Sequence, residues 1–119
     1  MKRPRAGPGR APRTVARGEI WLVALDPTVG GEIRKSRPCV IISPSEMHEY
    51  LRTVLVAPMT TAARPAPFRI PLRFAEKEGL ILLDQIRALD KQRLMKRLGA
   101  VEGRILHATL GRLREVFAE

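Results

Sequence analysis

Apolar positions along the chain follow two periods, strand-like in the first three-quarters and helical at the end. Glu19 to Leu25 (Glu-Ile-Trp-Leu-Val-Ala-Leu) is a run of β-branched, aromatic and aliphatic residues closed by Asp26-Pro27, which predicts a strand. The segment Gly30-Gly31-Glu32-Ile33-Arg34-Lys35-Ser36 has no apolar period to pack and reads as a loop. It delivers Arg37 and Pro38 into a second strand, Arg37 to Ser43, where Pro38 suits the first positions because its missing N–H costs least there. Pro44-Ser45-Glu46 opens a short helical turn with Ser45 as cap. A third strand follows from Thr53 to Ala57 and runs into Pro58-Met59-Thr60-Thr61.

Beyond the loop Ala62 to Pro67, Phe68 to Arg73 alternates apolar residues with arginine and proline, the pattern of an exposed edge strand with Arg69 and Arg73 on one face. Gly79 is expected to break the chain before a fifth strand that starts at Leu80 and continues through Leu89. Asp90 caps a single turn, and Leu98 to Val101 forms a short strand. From Glu102, residues Ile105, Leu106, Thr109, Leu110, Leu113, Val116 and Phe117 recur at helical spacing, so an amphipathic helix packs that face on the sheet. Five or six short strands and a closing helix predict a mainly β chain, a small antiparallel barrel with a C-terminal helix.

Charge changes this picture most. The formal charge is +10, which calls for an anionic partner. Lys2, Arg3, Arg5, Arg10 and Arg13 supply half of it, so residues 1–16 are expected to be a disordered basic Pro/Gly/Arg-rich tail and residues 17–119 the folded domain, with a charge of +5. Aromatic residues make up only 4%, so nucleic-acid binding by rows of stacked platforms is excluded and charge must do more. One cysteine excludes an intrachain disulfide, and Cys39 in its apolar strand reads as core. Two histidines with it make no recognisable zinc set, so neither metal nor cofactor is expected. No stretch approaches the ~20 apolar residues of a membrane helix, and no apolar run follows the basic start, so a cytoplasmic protein that binds no membrane is expected.

Arg17-Gly18-Glu19-Ile20-Trp21, Asp26-Pro27-Thr28, Gly31-Glu32 with Arg37-Pro38, Pro58-Met59-Thr60-Thr61 and Asp84-Gln85-Ile86-Arg87, in this order, resemble the MazF/PemK/Kid family of toxin endoribonucleases. The resemblance spans about residues 17 to 117. It implies an SH3-like barrel of the CcdB/MazF/PemK kind, a homodimer, and metal-independent cutting of single-stranded RNA at short motifs. It also implies neutralisation by a cognate acidic antitoxin, with DNA binding by the toxin–antitoxin complex. Family members with a catalytic Arg and Thr place them at Arg37 and Thr60. The PemK/Kid branch uses a His, an Arg and an Asp, of which only Asp84 is present, since Gly31 and Leu82 stand at the other two positions.

Metal-free cleavage needs charge stabilisation at phosphorus, which suits Arg37, and a hydroxyl such as Thr60 to orient the phosphate. Glu32, Asp84 and, below them, His48 are the open choices for general base, His48 reading otherwise as a surface residue. Arg34, Lys35, Arg69, Arg73 and Arg87 form the expected phosphate-positioning surface, and Gln85 is a candidate base reader. Each has a plainer reading, an ion pair for Arg37, Glu32 and Asp84, a turn hydroxyl for Thr60, a solvated basic face for the rest. The aliphatic strand from Val54 to Ala57 and the final helix offer surface for a homodimer. A non-catalytic protein is the alternative, either a CcdB-like gyrase poison or an inactive antitoxin-binding homologue. The first is disfavoured because the only tryptophan is Trp21, not near the C-terminus.

Overall fold

The computed structural model describes residues 14–25 and 35–119. The tail 1–13 and the segment 26–34, with Glu32 and Arg34, lie outside the described residues. Strands β1 (Glu19–Ala24), β2 (Ser36–Ile41), β3 (Thr53–Thr60), β4 (Arg69–Phe74), β5 (Lys77–Leu82), β6 (Arg87–Asp90) and β7 (Leu94–Ala100) are joined with helices α1 (Ser45–Tyr50) and α2 (Gly103–Val116). All pairings are antiparallel, in the order β4-β5-β3-β2-β1-β7, and β6 pairs the first half of β3 beyond β5. The ends of this path approach each other where Phe74 of β4 packs 3.5 Å from the position a side chain would take at Gly99 of β7. A curled antiparallel half-barrel with a C-terminal helix results.

Strand alternation divides the core in two. Trp21, Val23, Cys39, Ile41, Val54, Val56, Leu89 and Leu94 bury one face together with Val15. The intervening Ile20, Val40, Ala57 and Met59 bury the other against Ile70, Ile81 and the α2 residues Ile105 and Leu113.

Several boundaries differ from the sequence expectations. Gly79 lies inside β5, and the turn before it is Ala75-Glu76, both at positive φ (52° and 63°). Leu80 to Leu89 is not one strand, because a 3-10 turn at Leu83–Gln85 divides it. β7 starts at Leu94, not Leu98, giving seven strands among the described residues. Pro44 rather than Ser45 is the N-cap of α1, and Ser45 is its first helical residue. On α2 the buried stripe stops at Leu113, leaving Val116 and Phe117 exposed. Of the stretch expected to offer dimer surface, Val54, Val56 and Ala57 are buried within the chain and Leu55 is half-buried. Asp90 caps its turn as expected, accepting from the Gln92 N–H at 2.8 Å.

Candidate functional site

Leu25 N–H donates to the Lys35 carbonyl at 3.2 Å, and Arg93 Nη1 donates to the carbonyls of Ala24 and Leu25. Lys35 directly precedes β2, whose first residues Ser36 and Arg37 pair with Ala24 and Val23 of β1. The β2–β3 pairing ends at Cys39 and Pro58, and Arg37 and Thr60 lie two residues further along β2 and β3. Both are half-buried and both line a cleft of about 430 Å³ with Lys35, Met59, Leu72, Phe74 and Lys77. The close approach of β5 to β3 that forms the cleft floor requires a glycine, because a Cβ on Gly79 would stand 2.9 Å from the Thr60 carbonyl oxygen. The Thr60 hydroxyl accepts from the Ala62 N–H at 3.1 Å, so its own O–H remains able to donate. Below Arg37, burial pushes the Cys39 thiol up to about 12 against the pull of the Arg87 and Arg37 charges. A thiol so raised is no nucleophile at neutral pH.

The remaining predicted residues are elsewhere. Asp84, at the 3-10 turn, accepts from Arg69 Nε at 3.2 Å and Nη2 at 3.1 Å, while Arg69 Nη1 donates to the Arg64 carbonyl. The hydrogen bonds from Arg69 hold the Asp84 carboxyl below its ordinary range. Arg69 stands opposite Leu82 in the β4–β5 ladder, and Leu82 is buried. Arg73 pairs with Glu78 at 3.2 Å. Alternation along β4 puts Arg69 and Arg73 on the face away from Leu72 and Phe74, so neither lines the cleft. Arg87 and Gln85 are exposed outside it.

His48 is a correction. It is buried, not a surface residue, with Nδ1 2.7 Å from the Val15 carbonyl and Nε2 2.7 Å from Ser43 Oγ, so both ring nitrogens are engaged away from the cleft. Phe74 and Lys77 line the cleft without having been singled out from the sequence. Their pairing depends on the Ala75-Glu76 turn, which carries none of the Gly, Asn or Asp that signals such turns.

The model of the PemK-like, MazF-like toxins of type II toxin–antitoxin systems matches residues 16–117. Endoribonuclease PemK of Escherichia coli is 40% identical over 106 residues, 84% of this chain and 80% of that protein. Endoribonuclease MazF of Staphylococcus epidermidis is 37% identical over 92 residues, 71% of this chain and 75% of that protein. Among solved structures, a mycobacterial endoribonuclease in complex with its cognate antitoxin superposes with a TM-score of 0.71 at 22% identity, covering 85% of this chain and 92% of that one, a likeness of fold. The half-barrel, the ordered motifs and the extent of these matches lead to one assignment: the chain belongs to the PemK-like, MazF-like toxin family of type II toxin–antitoxin systems.

Proposed function

We propose that this chain is an endoribonuclease toxin that cuts single-stranded RNA at a short motif without a metal ion and is neutralised by a cognate acidic antitoxin. The observation that carries the reading is that Arg37 and Thr60 line one cleft whose charged lining residues, Lys35, Arg37 and Lys77, are all cationic among the described residues. The two relatives named above are endoribonucleases, which supports the same reading.

In the proposed reaction the 2′-oxygen of the substrate attacks the adjacent phosphorus. The 2′-hydroxyl loses its proton as the new P–O bond forms, the P–O5′ bond breaks and the departing O5′ takes a proton from water, leaving a 2′,3′-cyclic phosphate and a 5′-hydroxyl. Arg37 stabilises the charge on the phosphorane, a task suited to a permanently charged planar donor, and the Thr60 O–H orients a non-bridging oxygen. Asp84, held in its ionised form by Arg69, is a weak proton acceptor, so Glu32 is the better carboxylate for the 2′-hydroxyl. Lys35, Arg34 and Arg87 hold flanking phosphates and Gln85 contacts a base. Arg69 and Arg73, tied to Asp84 and Glu78, contribute less to binding. The working protein is a cytoplasmic homodimer.

Replacing Arg37 by Ala is expected to lower the cleavage rate by ~10²–10³-fold and Thr60→Ala by about tenfold, with circular dichroism and melting temperature unchanged. Full activity in a folded Arg37→Ala variant contradicts the assignment.

A further inference from the structure

The cleft beside Arg37 has a second character that charge does not explain. Its volume of about 430 Å³ falls within the roughly 300–1,000 Å³ of small-ligand sites. Met59, Leu72, Phe74 and Pro38 supply apolar lining, and among the described residues Phe74 is the only aromatic that lines the cleft. The two-residue turn Ala75-Glu76 sets Phe74 directly opposite Lys77, so both side chains leave the hairpin on the same face. An aromatic residue thus stands opposite a lysine in the hairpin, at a cleft also lined by Lys35 and Arg37. The ring is held from behind, since Phe74 packs on the second core and its Cε1 lies 3.5 Å from where a Cβ at Gly99 of β7 would stand.

We infer that this side of the cleft is a nucleobase subsite, in which Phe74 stacks on one base of single-stranded RNA while Lys77 and Lys35 hold the phosphate attached to that nucleotide. The inference rests on the ribonuclease reading for its choice of RNA, and the geometry supplies the rest. A base offers a flat apolar face and a tethered anion a few ångströms away, and the cleft offers an apolar ring edged by cations with no acidic lining residue among the described residues. The contact is sequence-tolerant in kind, because every base has a π-face. Arg37 and Thr60 lie at the same cleft, so the stacked base belongs to a nucleotide next to the cut bond. Phe74 is therefore a positioning residue that fixes where along the strand the attack occurs, separate from the groups that stabilise charge.

The test uses the full chain and short 2′-fluoro RNA strands, which cannot be cut, containing the mapped cleavage site and a single abasic nucleotide moved through it. In the wild-type protein, one abasic position is expected to weaken binding by on the order of 5- to 150-fold. In Phe74→Ala the same position is expected to matter less than about twofold, and Phe74→Tyr to restore the wild-type pattern. If Phe74→Ala fails to fold, Phe74→Leu, which keeps apolar volume without the ring, is expected to fold and show the same loss. A folded Phe74→Ala or Phe74→Leu protein with the wild-type abasic profile overturns the subsite. An apolar side chain of a protein partner would then be the occupant to examine. The ribonuclease reading fails separately: a wild-type protein that cuts no RNA but shows the Phe74-dependent base effect on mixed-sequence strands removes the cleavage and keeps the subsite.

Discussion

Glu19 accepts hydrogen bonds from three parts of the chain: the Ala16 N–H and Trp21 Nε1–H at Oε1 and Arg97 Nε at Oε2, all at 3.0 Å. Burial pushes its carboxyl up, but the Ala16, Trp21 and Arg97 interactions together outweigh that, and its pKa lies below the ordinary 4.5. Its neighbours in the same motif are equally structural. Arg17 Nε donates to the Ile42 carbonyl at 2.7 Å, and Gly18, at φ 89°, has Leu106 Cδ2 3.1 Å from where a Cβ would be. A carboxyl with a lowered folded-state pKa stabilises the fold above its unfolded pKa and loses that contribution as pH falls through the lowered value. Glu19→Gln is therefore expected to cost about 1 kcal/mol at pH 7, roughly 4 °C in melting temperature, and to flatten the fall in stability below pH 4.5. Thermal melts from pH 3 to 7 check this, and an unchanged acid limb contradicts it. The motif that signals the family most visibly in the sequence thus holds β1 to β7, while the cleft is made by other residues.

At the scale of elements, the β4–β5 hairpin decides what faces the cleft. Ala75 and Glu76 sit in the left-handed region, where residues other than glycine lose about 1–2 kcal/mol each. Glu76→Gly is expected to stabilise the protein by about 0.5–1 kcal/mol, the relief exceeding the added entropy of the unfolded chain. Urea unfolding measures it, and a loss of stability would show that the turn is not strained. Alternation and helical period made β1, β2, β3 and α2 legible in the sequence, because both faces of those strands and one face of that helix are buried. The strands of the hairpin are expected near residues 68–73 and from Leu80, but the turn that joins them is not legible. That turn lacks the usual residues, and Gly79, which serves as a break in the sequence pattern, is needed inside β5 for close approach to Thr60. Phe74 and Lys77 stayed hidden for the same reason, as their meeting depends on that register.

At the scale of the whole molecule, one sheet carries two cores, and the mouth of the cleft lies where β2 and β3 extend past the buried Cys39–Pro58 pair. Arg37 and Thr60 are singled out by resemblance, and their meeting at one cleft is a property of the fold. His48 shows the converse, since a titratable residue that looked available in sequence is buried between Ser43 and Val15. The net charge of +10 suits a polyanionic strand, and the cationic lining of the cleft gives that attraction a direction. The most direct measurement is incubation of the protein with a long single-stranded RNA in excess EDTA, with chemical mapping of the product ends. Cleavage at one short motif, leaving 2′,3′-cyclic phosphate and 5′-hydroxyl ends and abolished by a 2′-deoxy sugar at the cut nucleotide, is the predicted result. Intact RNA in EDTA with a folded protein, or products ending in 5′-phosphate, would contradict it.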